Sequence, residues 1–336
     1  MSDIKVSIVI PTFNRGELLR HSLPALVTQH CDGFRYEVIF VDDGSTDHSA
    51  DLIAEFMRDH PTILRYERIP HSGSPGRPRN VGVKLALGEV ILLLDDDVVP
   101  ALDLVQQHWL FHQAHSQSHI AALGNLVVPP ESLSDPMSLF HKFPYEEAAR
   151  MPKLTYLFFW TCNVSVKRSF MSRAGVFDED SALHPLEDME CGYRLFQQGL
   201  DLKYLPDATG AHLHKTKASD VAKKGQRTGR AQVVLLRKVP DLGVRARFGI
   251  LTPELPFKIL AWRFLRRCAF RLADNPVTNW LLRRMGAETK SRSAVTDAYY
   301  YLMFRRNMLS GFAAAQRDYA ELRKMLSTPK SEAVRS

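Results

Sequence analysis

Short apolar runs alternate with amphipathic segments along the first two hundred residues of the chain. Runs rich in β-branched residues predict strands, and apolar residues spaced three or four apart predict helices between them. The predicted strands are Lys5–Ile10, Tyr36–Val41, Ile63–Arg68 and Val90–Leu94, and the predicted helices are Glu17–Thr28, Ser49–Arg58 and Val81–Leu87. This β-α-β-α-β order predicts an α/β fold whose mostly parallel sheet has helices on its faces.

The run Val90–Leu94 is the most informative of these segments, since it is apolar throughout and leads into Asp95, Asp96 and Asp97. A continuous apolar run predicts a strand that is buried on both faces. Three adjacent carboxylates repel one another unless a divalent cation and the phosphates of a ligand lie beside them. The alternative interpretation is an acidic turn without a ligand.

Polar residues also follow two other predicted strands. Pro11 is expected to stop the first strand, and Asn14 and Arg15 follow it, while Asp42 and Asp43 follow the second. Ligands of such sheets bind beyond the carboxyl ends of the strands. Neither G-x-G-x-x-G nor G-x-x-x-x-G-K-[ST] is present, so we expect a nucleotide site that uses carboxylates and a metal ion instead of a glycine-rich loop.

The loop 71–82, HSGSPGRPRNVG, places Arg77 and Arg79 at or just before the predicted helix Val81–Leu87. Guanidinium groups at a helix N-terminus favour a diphosphate. A surface loop with incidental arginines is the alternative.

The second part of the chain continues the pattern with less regularity. Ile120–Pro130 predicts a strand and turn, and the irregular segment Glu131–Pro152 is typical of a loop that shapes an acceptor pocket or forms a lid. A helix Met189–Gln198 is expected to end at Gly199 as a C′ glycine, with Glu190 and Arg194 paired within it. The remaining predicted elements are a last strand Leu202–Leu205 and the helices Ala222–Lys238 and Ala294–Leu326, the latter as one helix or two.

Charge is distributed unevenly along the 336 residues, which could form one large domain or two smaller ones. Residues 1–200 hold 17 Lys and Arg against 26 Asp and Glu, whereas residues 201–336 hold 27 against 11. The basic part also contains the amphipathic stretches Phe257–Leu272, with Arg263, Arg266 and Arg267, and Trp280–Arg284. Such a part suits phospholipid, a lipid diphosphate or nucleic acid, and the alternative is a solvated basic face. For the apolar side of the two stretches, burial against the first part of the chain or a second subunit is the alternative to a membrane.

Three further observations concern the compartment. No run of about 18 apolar residues predicts a transmembrane helix, and the N-terminus leads directly into a strand, so we expect no signal peptide. The four cysteines are scattered, which favours free thiols in a reducing compartment. We therefore expect a cytoplasmic protein. A peripheral position at the cytoplasmic face of a membrane is a further hypothesis, which rests on the basic part of the chain.

Four segments together resemble the inverting glycosyltransferases of family 2, which have the GT-A fold. These are VSIVIPTFNR (6–15), VIFVDDGSTD (38–47), RNVGVKLALGEVILLLDDD (79–97) and EDMECGYRLFQQG (187–199), and the resemblance covers about residues 4–217. It implies a nucleotide-sugar-binding catalytic domain over residues 1–217, followed by a basic, mainly helical region over residues 218–336.

The resemblance also implies roles for individual residues. Phe13 would pack on the nucleotide base, Asp42 and Asp43 would bind base and ribose, and Arg79 would contact the diphosphate. The metal, Mg²⁺ or Mn²⁺, would be held by Asp97 and Asp95, with His212 or alternatively His214 as a further ligand. The full set of implied donor-binding residues is Pro11, Thr12, Phe13, Asn14, Arg15, Asp42, Asp43, Arg77, Arg79, Asn80, Asp95 and Asp96.

The Glu187–Asp188 position supplies the general base in this family, and the helix dipole would keep Asp188 ionised. From the sequence alone, Asp188 could equally be an N-cap. Trp160 and Asn163 are the candidates on the acceptor side, although an aromatic such as Trp160 is at least as often a core residue.

These expectations describe transfer of a sugar from a nucleotide diphosphate donor, with UDP favoured, to a hydroxyl of a carbohydrate or lipid-linked acceptor. The product would be a glycan, polysaccharide or glycolipid, and no nucleic acid partner is expected. A sugar nucleotidyltransferase is one rival, but it would favour a glycine-rich basic loop where PTFNR stands. A non-catalytic membrane- or nucleic-acid-binding protein on the same scaffold is the other, and it would have lost Asp97 or Asp188, which are both present.

Overall fold

The computed structural model describes residues 4–135, 137–138, 143–213, 217–241, 275–286 and 293–327. The chain divides into two compact units. The first comprises Met1–Thr216 with Lys290–Arg292, and the second comprises Lys217–Thr289 with Ser293–Ser336.

A mixed sheet forms the centre of the first unit. Its strands are β1 (Ile4–Thr12), β2 (Arg35–Asp42), β3 (Leu64–Arg68), β4 (Val90–Leu94), β5 (Val98–Pro100), β6 (Ile120–Val127), β7 (Asn163–Lys167) and β8 (Asp201–His212). Their order across the sheet is β3-β2-β1-β4-β7-β6-β8-β5. The neighbours from β3 to β4 are parallel, as are β6 and β8, whereas β7 and β5 run antiparallel to their neighbours. The predicted α/β fold with a mostly parallel sheet is therefore confirmed.

Helices follow most strands of this unit. They are α1 (Gly16–Val27), α2 (Ser49–Asp59), α3 (Gly76–Leu85), α4 (Leu104–Ala114), α5 (Tyr145–Arg150), α6 (Arg168–Ala174) and α7 (Glu187–Gln197). The predicted strand Val90–Leu94 has the bounds of β4, and its five residues are all buried. At the end of α7, Gly199 has φ +91°, as expected of a C′ glycine.

The first strand does not stop at Pro11 as predicted. It continues to Thr12, which pairs with Asp42 of β2, whereas its pairing with β4 ends at Val9. Pro11 thus lies beyond the part of β1 that is paired on both sides, where a missing N–H can be tolerated.

Helix α3 begins at Gly76, five residues before the predicted start. Pro78 belongs to its first turn, where an N–H would have no intrahelical acceptor. Arg77, Arg79 and Asn80 therefore lie inside the helix and not in the loop before it. Farther along, Gly82 faces β1, and a Cβ there would approach Val9 Cγ1 to 2.4 Å.

Strand β8 is three times as long as the predicted strand Leu202–Leu205, because it continues through Pro206 to His212. The register between β6 and β8 shifts here, because Leu123 pairs with Tyr204 whereas Asn125 pairs with Thr209, and the additional residues of β8 include Pro206. The last residues of β8 then pair with β5, so that Val98 lies opposite His212. The sequence analysis did not predict β5, which follows Asp97 directly.

The described part of the second unit is helical, with α8 (Val221–Lys238), α9 (Pro276–Gly286) and α10 (Ala294–Ser327). Of the two alternatives for the last segment, the single helix is correct. Helices α8 and α10 pack closely at Gly225, Gly229 and Gly311, where an added Cβ would approach backbone of the other helix to 2.5 Å or less. The segment Phe257–Leu272, with Arg263, Arg266 and Arg267, lies outside the described residues. Among the helices described, none is both long enough and apolar enough to cross a bilayer.

Candidate functional site

The three carboxylates after β4 have different surroundings. Asp95 keeps part of its surface exposed, whereas Asp96 and Asp97 are buried. Asp95 pairs with α3, Asp96 contacts β1 and α1, and Asp97 contacts β8. The acidic turn therefore contacts helix α3, the β1–α1 segment and strand β8.

Asp96 is directed into the protein. Its Oδ2 accepts a hydrogen bond of 2.7 Å from Thr12 Oγ1, and Arg15 Nε lies 3.7 Å from its Oδ1. Burial, opposed by Arg15 and reinforced by Asp97, raises the pKa of Asp96 to about 7. Asp96, Thr12 and Arg15 were all expected to contact the donor. In this structure, Asp96 instead contacts Thr12 and Arg15.

Asp97 lies beside the predicted histidine ligand. His212 Nε2 is 3.2 Å from Asp97 Oδ1, and both side chains are buried. The pairing of β5 with β8 brings them together, and Leu213 N donates to the Asp97 carbonyl at 2.8 Å. His214 lies outside the described residues.

The donor set at this point is one carboxylate and one imidazole, which suit Mn²⁺ or Mg²⁺ when substrate oxygens complete the coordination. Within the described residues, no group of three or more His, Cys, Asp or Glu side chains is arranged to hold a metal by itself. Asp97 and His212 therefore fit a metal that is shared with a bound ligand better than a closed structural site.

Arg79 joins the acidic strand end to helix α7. Its Nη2 donates to Asp95 Oδ1 at 2.9 Å and its Nη1 to Glu187 Oε1 at 3.1 Å. The guanidinium also lies 5.5 Å from the centre of the Phe177 ring. Arg79, expected at the diphosphate, is thus buried between two carboxylates, whereas Arg77 is exposed on the same helix.

Glu187 and Asp188 occupy the first two positions of α7, after Leu186 as the N-cap. Asp188 is therefore not the N-cap residue, although its Oδ1 accepts a hydrogen bond of 2.7 Å from Met189 N. Burial, and then the charge of Glu187, raise the pKa of Asp188 to about 7. We expected the helix dipole to keep Asp188 ionised, whereas burial and the charge of Glu187 both oppose its ionisation.

Glu187 is held from two sides, by Arg79 and by His184 Nδ1 at 3.2 Å. Burial opposes its ionisation, but His184 and Arg79 outweigh burial and lower its pKa. His184 was not predicted as a site residue, although it lies only three positions before Glu187 in the sequence. Farther along the same helix, Arg194 Nε and Glu190 Oε1 form the expected pair at 2.6 Å.

The residues expected around the nucleotide base include the exposed ring of Phe13 and the buried carboxylate of Asp43. The rings of Phe13 and His71 stack with centroids 4.1 Å apart. Asp43 Oδ2 lies 2.8 Å from His71 Nδ1, and Asp43 Oδ1 accepts from Ser72 N at 2.8 Å. His71 and Ser72 were not predicted as site residues, and their only signal was a loop rich in glycine and serine.

Asp42 and Asn14 stabilise the turn after β2. Asp42 Oδ1 accepts from Ser45 N at 2.7 Å and its Oδ2 from Tyr66 Oη at 2.6 Å. Asn14, at φ +54°, accepts at its Oδ1 from Thr46 N at 2.7 Å. Both oxygens of the fully buried Asp42 are therefore engaged within the fold.

Two other predicted site residues, Asn80 and Trp160, also contact the protein itself. Asn80 Nδ2 donates to the carbonyl of Phe177 at 2.9 Å, and Phe177 N donates to Asn80 Oδ1 at 2.8 Å. Trp160 is buried, with its ring 5.0 Å from that of Phe143 and its Nε1 donating to the Leu157 carbonyl. The core interpretation of Trp160 thus fits its surroundings.

Asn163 is fully buried and belongs to a chain of polar groups that crosses the sheet. Asn163 Nδ2 donates to the Ala208 carbonyl at 3.0 Å, so its Oδ1 accepts from His108 Nε2 at 2.9 Å. His108 Nδ1 then accepts from Ser165 Oγ at 2.7 Å, and Ser165 accepts from His112 Nε2 at 2.9 Å. The acceptor-only carbonyl of Ala208 fixes this direction. Asn163 therefore has no surface to present to an acceptor.

His108 and His112 are both neutral in this hydrogen-bond network. Burial lowers the pKa of His108 to about 4 and that of His112 to about 3. Gly124 of β6 leaves room for the Asn163 amide, since a Cβ there would come within 2.3 Å of Asn163 Nδ2. The network stabilises the irregular part of β8 that precedes His212.

Comparison with known proteins places these observations in context. A family model described as "Glycosyl transferase family 2" matches residues 7–174. The poly(ribitol-phosphate) beta-glucosyltransferase of Bacillus spizizenii is 40% identical over 124 residues, which are 37% of this chain and 19% of that protein. The chain spans less than two thirds of this and three further curated relatives, between 19% and 64% of their lengths.

Two solved structures share the fold. Residues 1–349 of TarS from Staphylococcus aureus, in complex with UDP-GlcNAc, match 95% of this chain and 92% of that chain, with a TM-score of 0.52 and 18% identity. The mannosyltransferase PcManGT from Pyrobaculum calidifontis, in complex with GDP-Man and Mn²⁺, matches 95% of this chain and 88% of that chain, with a TM-score of 0.60 and 17% identity. The expected GT-A fold is confirmed.

Proposed function

The chain belongs to glycosyl transferase family 2, and from this premise we propose that it is an inverting, metal-dependent glycosyltransferase. The donor is a nucleotide diphosphate sugar, with UDP as the favoured nucleotide. TarS binds UDP-GlcNAc and PcManGT binds GDP-Man, which supports the donor class. The acceptor-only carboxylate of Asp43 beside the exposed ring of Phe13 suits the N–H of a uracil base.

The observation that carries this proposal is the bridge Asp95–Arg79–Glu187. It holds the acidic end of β4 against the first turn of α7, and so joins Asp95 to the helix that carries Asp188. A donor-side group of carboxylates and a second carboxylate with a pKa near neutrality are the two parts that a direct displacement needs.

Asp97 and His212 are the residues that would hold the metal, with Asp95 beside them. When bound, a divalent cation stabilises the negative charge that develops on a leaving diphosphate. The pairing of β5 with β8 holds Asp97 and His212 next to each other.

Asp188 is the general base of the proposed reaction. Its carboxylate accepts the proton of an acceptor hydroxyl while the hydroxyl oxygen forms a bond to the anomeric carbon. The bond from that carbon to the diphosphate oxygen breaks on the opposite face, and the configuration inverts in this single step. Glu187 is a positioning residue, since it holds the start of α7 through Arg79 and His184.

The acceptor we propose is a hydroxyl of a carbohydrate or of a lipid-linked saccharide, in the synthesis of a glycan, polysaccharide or glycolipid. The basic second part of the chain fits an anionic membrane, and the protein would work at the cytoplasmic face. Nucleic acid is not part of this proposal.

The test is an assay of nucleotide release with a panel of UDP- and GDP-sugars, in Mn²⁺, in Mg²⁺ and in excess chelator. We expect one donor to be turned over only with metal, and the anomeric configuration of the product, read by NMR, to be opposite to that of the donor. Release of pyrophosphate from a nucleoside triphosphate and a sugar phosphate would instead identify a nucleotidyltransferase. Unchanged turnover in chelator would contradict the metal assignment.

A further inference from the structure

Helix α9 carries an exposed apolar stripe. Val277, Trp280 and Leu281 are 66%, 57% and 45% exposed, and Arg284 is exposed beside them. We name these four residues the α9 stripe. Large apolar side chains scattered singly on a surface are ordinary, whereas a contiguous group with a tryptophan at its centre indicates a contact surface.

The spacing of the stripe places it on one side of the helix. Residues 277, 280, 281 and 284 are separated by three, one and three positions, and at 3.6 residues per turn they fall within an arc of about 100°. The guanidinium of Arg284 lies 5.5 Å from the centre of the Trp280 ring. One face of α9 thus combines an apolar body with a cation at its C-terminal end.

The start of α9 is well defined by its own sequence. Asn275 Oδ1 accepts from Thr278 N at 2.9 Å, and Asn275 Nδ2 donates to Thr278 Oγ1 at 2.9 Å. Asn275 is therefore an N-cap, and Pro276 follows it at the first helical position, where proline is favoured. The cap fixes where the helix begins and hence which residues share the exposed face.

We propose that the α9 stripe binds the surface of an anionic lipid bilayer. Tryptophan is favoured at the boundary between headgroups and acyl chains, and valine and leucine contribute apolar burial there. An arginine next to them can keep its stem in the apolar layer while the guanidinium meets a lipid phosphate. The proposal deepens the proposed function, because a lipid-linked acceptor would be reached at that surface.

The charge of the second part of the chain favours an anionic bilayer over a second copy of the same part as the binding partner of the α9 stripe. Residues 201–336 hold 27 basic against 11 acidic side chains, so two copies of this part repel each other, whereas an anionic surface attracts it. Each Lys or Arg near such a surface contributes about 1 kcal/mol, and the attraction weakens with salt. Self-association through the basic parts of two chains is therefore disfavoured on the same grounds that favour lipid.

Flotation of the full-length protein with vesicles tests the proposal without a donor or acceptor. One set of vesicles is phosphatidylcholine alone, and the other is an equal mixture of phosphatidylcholine and phosphatidylglycerol. We expect binding to the mixture only, and a loss of binding as salt rises. Replacing Trp280 and Leu281 together by Ser should lower the partition coefficient on the order of tenfold or more. Arg284→Glu should weaken binding, and the binding that remains should depend less on salt.

Leu309 of α10 supplies a matched control, because it is 45% exposed, the same as Leu281. Leu309→Ser should leave the partition coefficient unchanged. A wild-type protein that stays unbound with the mixed vesicles at low salt would overturn the proposal, as would equal losses in the stripe and control variants. Nucleotide release from a soluble donor is measured separately, so a failure of the proposed chemistry would not be mistaken for a failure of membrane binding.

Discussion

Asp188 has the environment that a general base needs at neutral pH. Its pKa of about 7 results from burial and the adjacent Glu187. Asp188→Asn should lower the turnover number on the order of 10²-fold or more, with nearly unchanged donor affinity in a nucleotide-binding assay. Asp207→Asn, at an exposed carboxylate of β8, is the control and should keep wild-type turnover.

The same pKa fixes the sign of the pH dependence. A base must be ionised to accept a proton, so turnover should rise with pH through about 7 and level off above it. The residual turnover of Asp188→Asn should lack this transition. A wild-type profile that is flat between weakly acidic and weakly alkaline pH would contradict Asp188 as the base.

Asp97 is the residue through which the metal assignment is best tested. Asp97→Asn keeps the shape of the side chain and removes a ligand charge, so we expect loss of turnover and weaker nucleotide binding in Mn²⁺. In excess chelator, the variant and the wild type should bind nucleotide equally. Circular dichroism serves to show that the fold is retained, and a difference that persists in chelator would assign Asp97 a structural role instead.

Individual residues differ in how well the sequence predicts their surroundings. The resemblance named Asp97 and His212 together, and the structure places them 3.2 Å apart. It also gave Asp42 and Asn163 ligand contacts, yet both are fully buried and bonded within the protein. A residue type and its motif position do not reveal which hydrogen-bond partners distant strands supply.

Element boundaries were missed where distant contacts override local preference. Pro206 argued for the end of a strand, but the register shift against β6 absorbs it and β8 continues to His212. Helix α4 has no clear apolar stripe in sequence, because His108 and His112 occupy buried positions on it. Only the partners Ser165 and Asn163 make those positions tolerable, since buried polar groups need hydrogen bonds.

The packing of α8 on α10 gives a prediction at the scale of elements. A Cβ on Gly229 would come within 1.9 Å of the Met308 carbonyl oxygen, so Gly229→Val should destabilise the protein by about 3 kcal/mol or more. Helix propensity alone favours valine over glycine by a few tenths of a kcal/mol, so the two effects have opposite signs. Unfolding in urea, followed by far-UV circular dichroism, measures the difference.

Arg227→Val is the control for this prediction, since it introduces the same side chain on the exposed face of α8. We expect a loss of less than about 1 kcal/mol from propensity alone. Equal effects of the two substitutions would show that the close approach of the helices contributes little to stability.

At the scale of the whole molecule, the chain combines an acidic part that holds most of the candidate site with a basic part whose described residues after 217 are mainly helical. Contacts divide the chain near residue 217, whereas the family model matches residues 7–174. We propose that residues 1–217 and 218–336 are separate domains, with the chemistry carried by the first. The charge asymmetry could be counted from the sequence, whereas the helix-to-helix glycine contacts could not, because they join residues about 80 positions apart.

Hydrogen exchange tests this division. A ligand that binds only the native state stabilises it by about 2.7 kcal/mol at a concentration one hundred times its dissociation constant. Bound ligand therefore slows exchange only at amides that become exposed when the ligand-binding domain unfolds. UDP with Mn²⁺ should therefore slow exchange in peptides from Ile4–Leu213, most of all around Asp95–Asp97 and α7, and leave peptides of Val221–Lys238 and Ala294–Ser327 unchanged. The Asp97→Asn protein under the same conditions is the control and should show little protection anywhere. Equal protection of the helical peptides would mean that both parts unfold together, and the proposed domain boundary would then have to be abandoned.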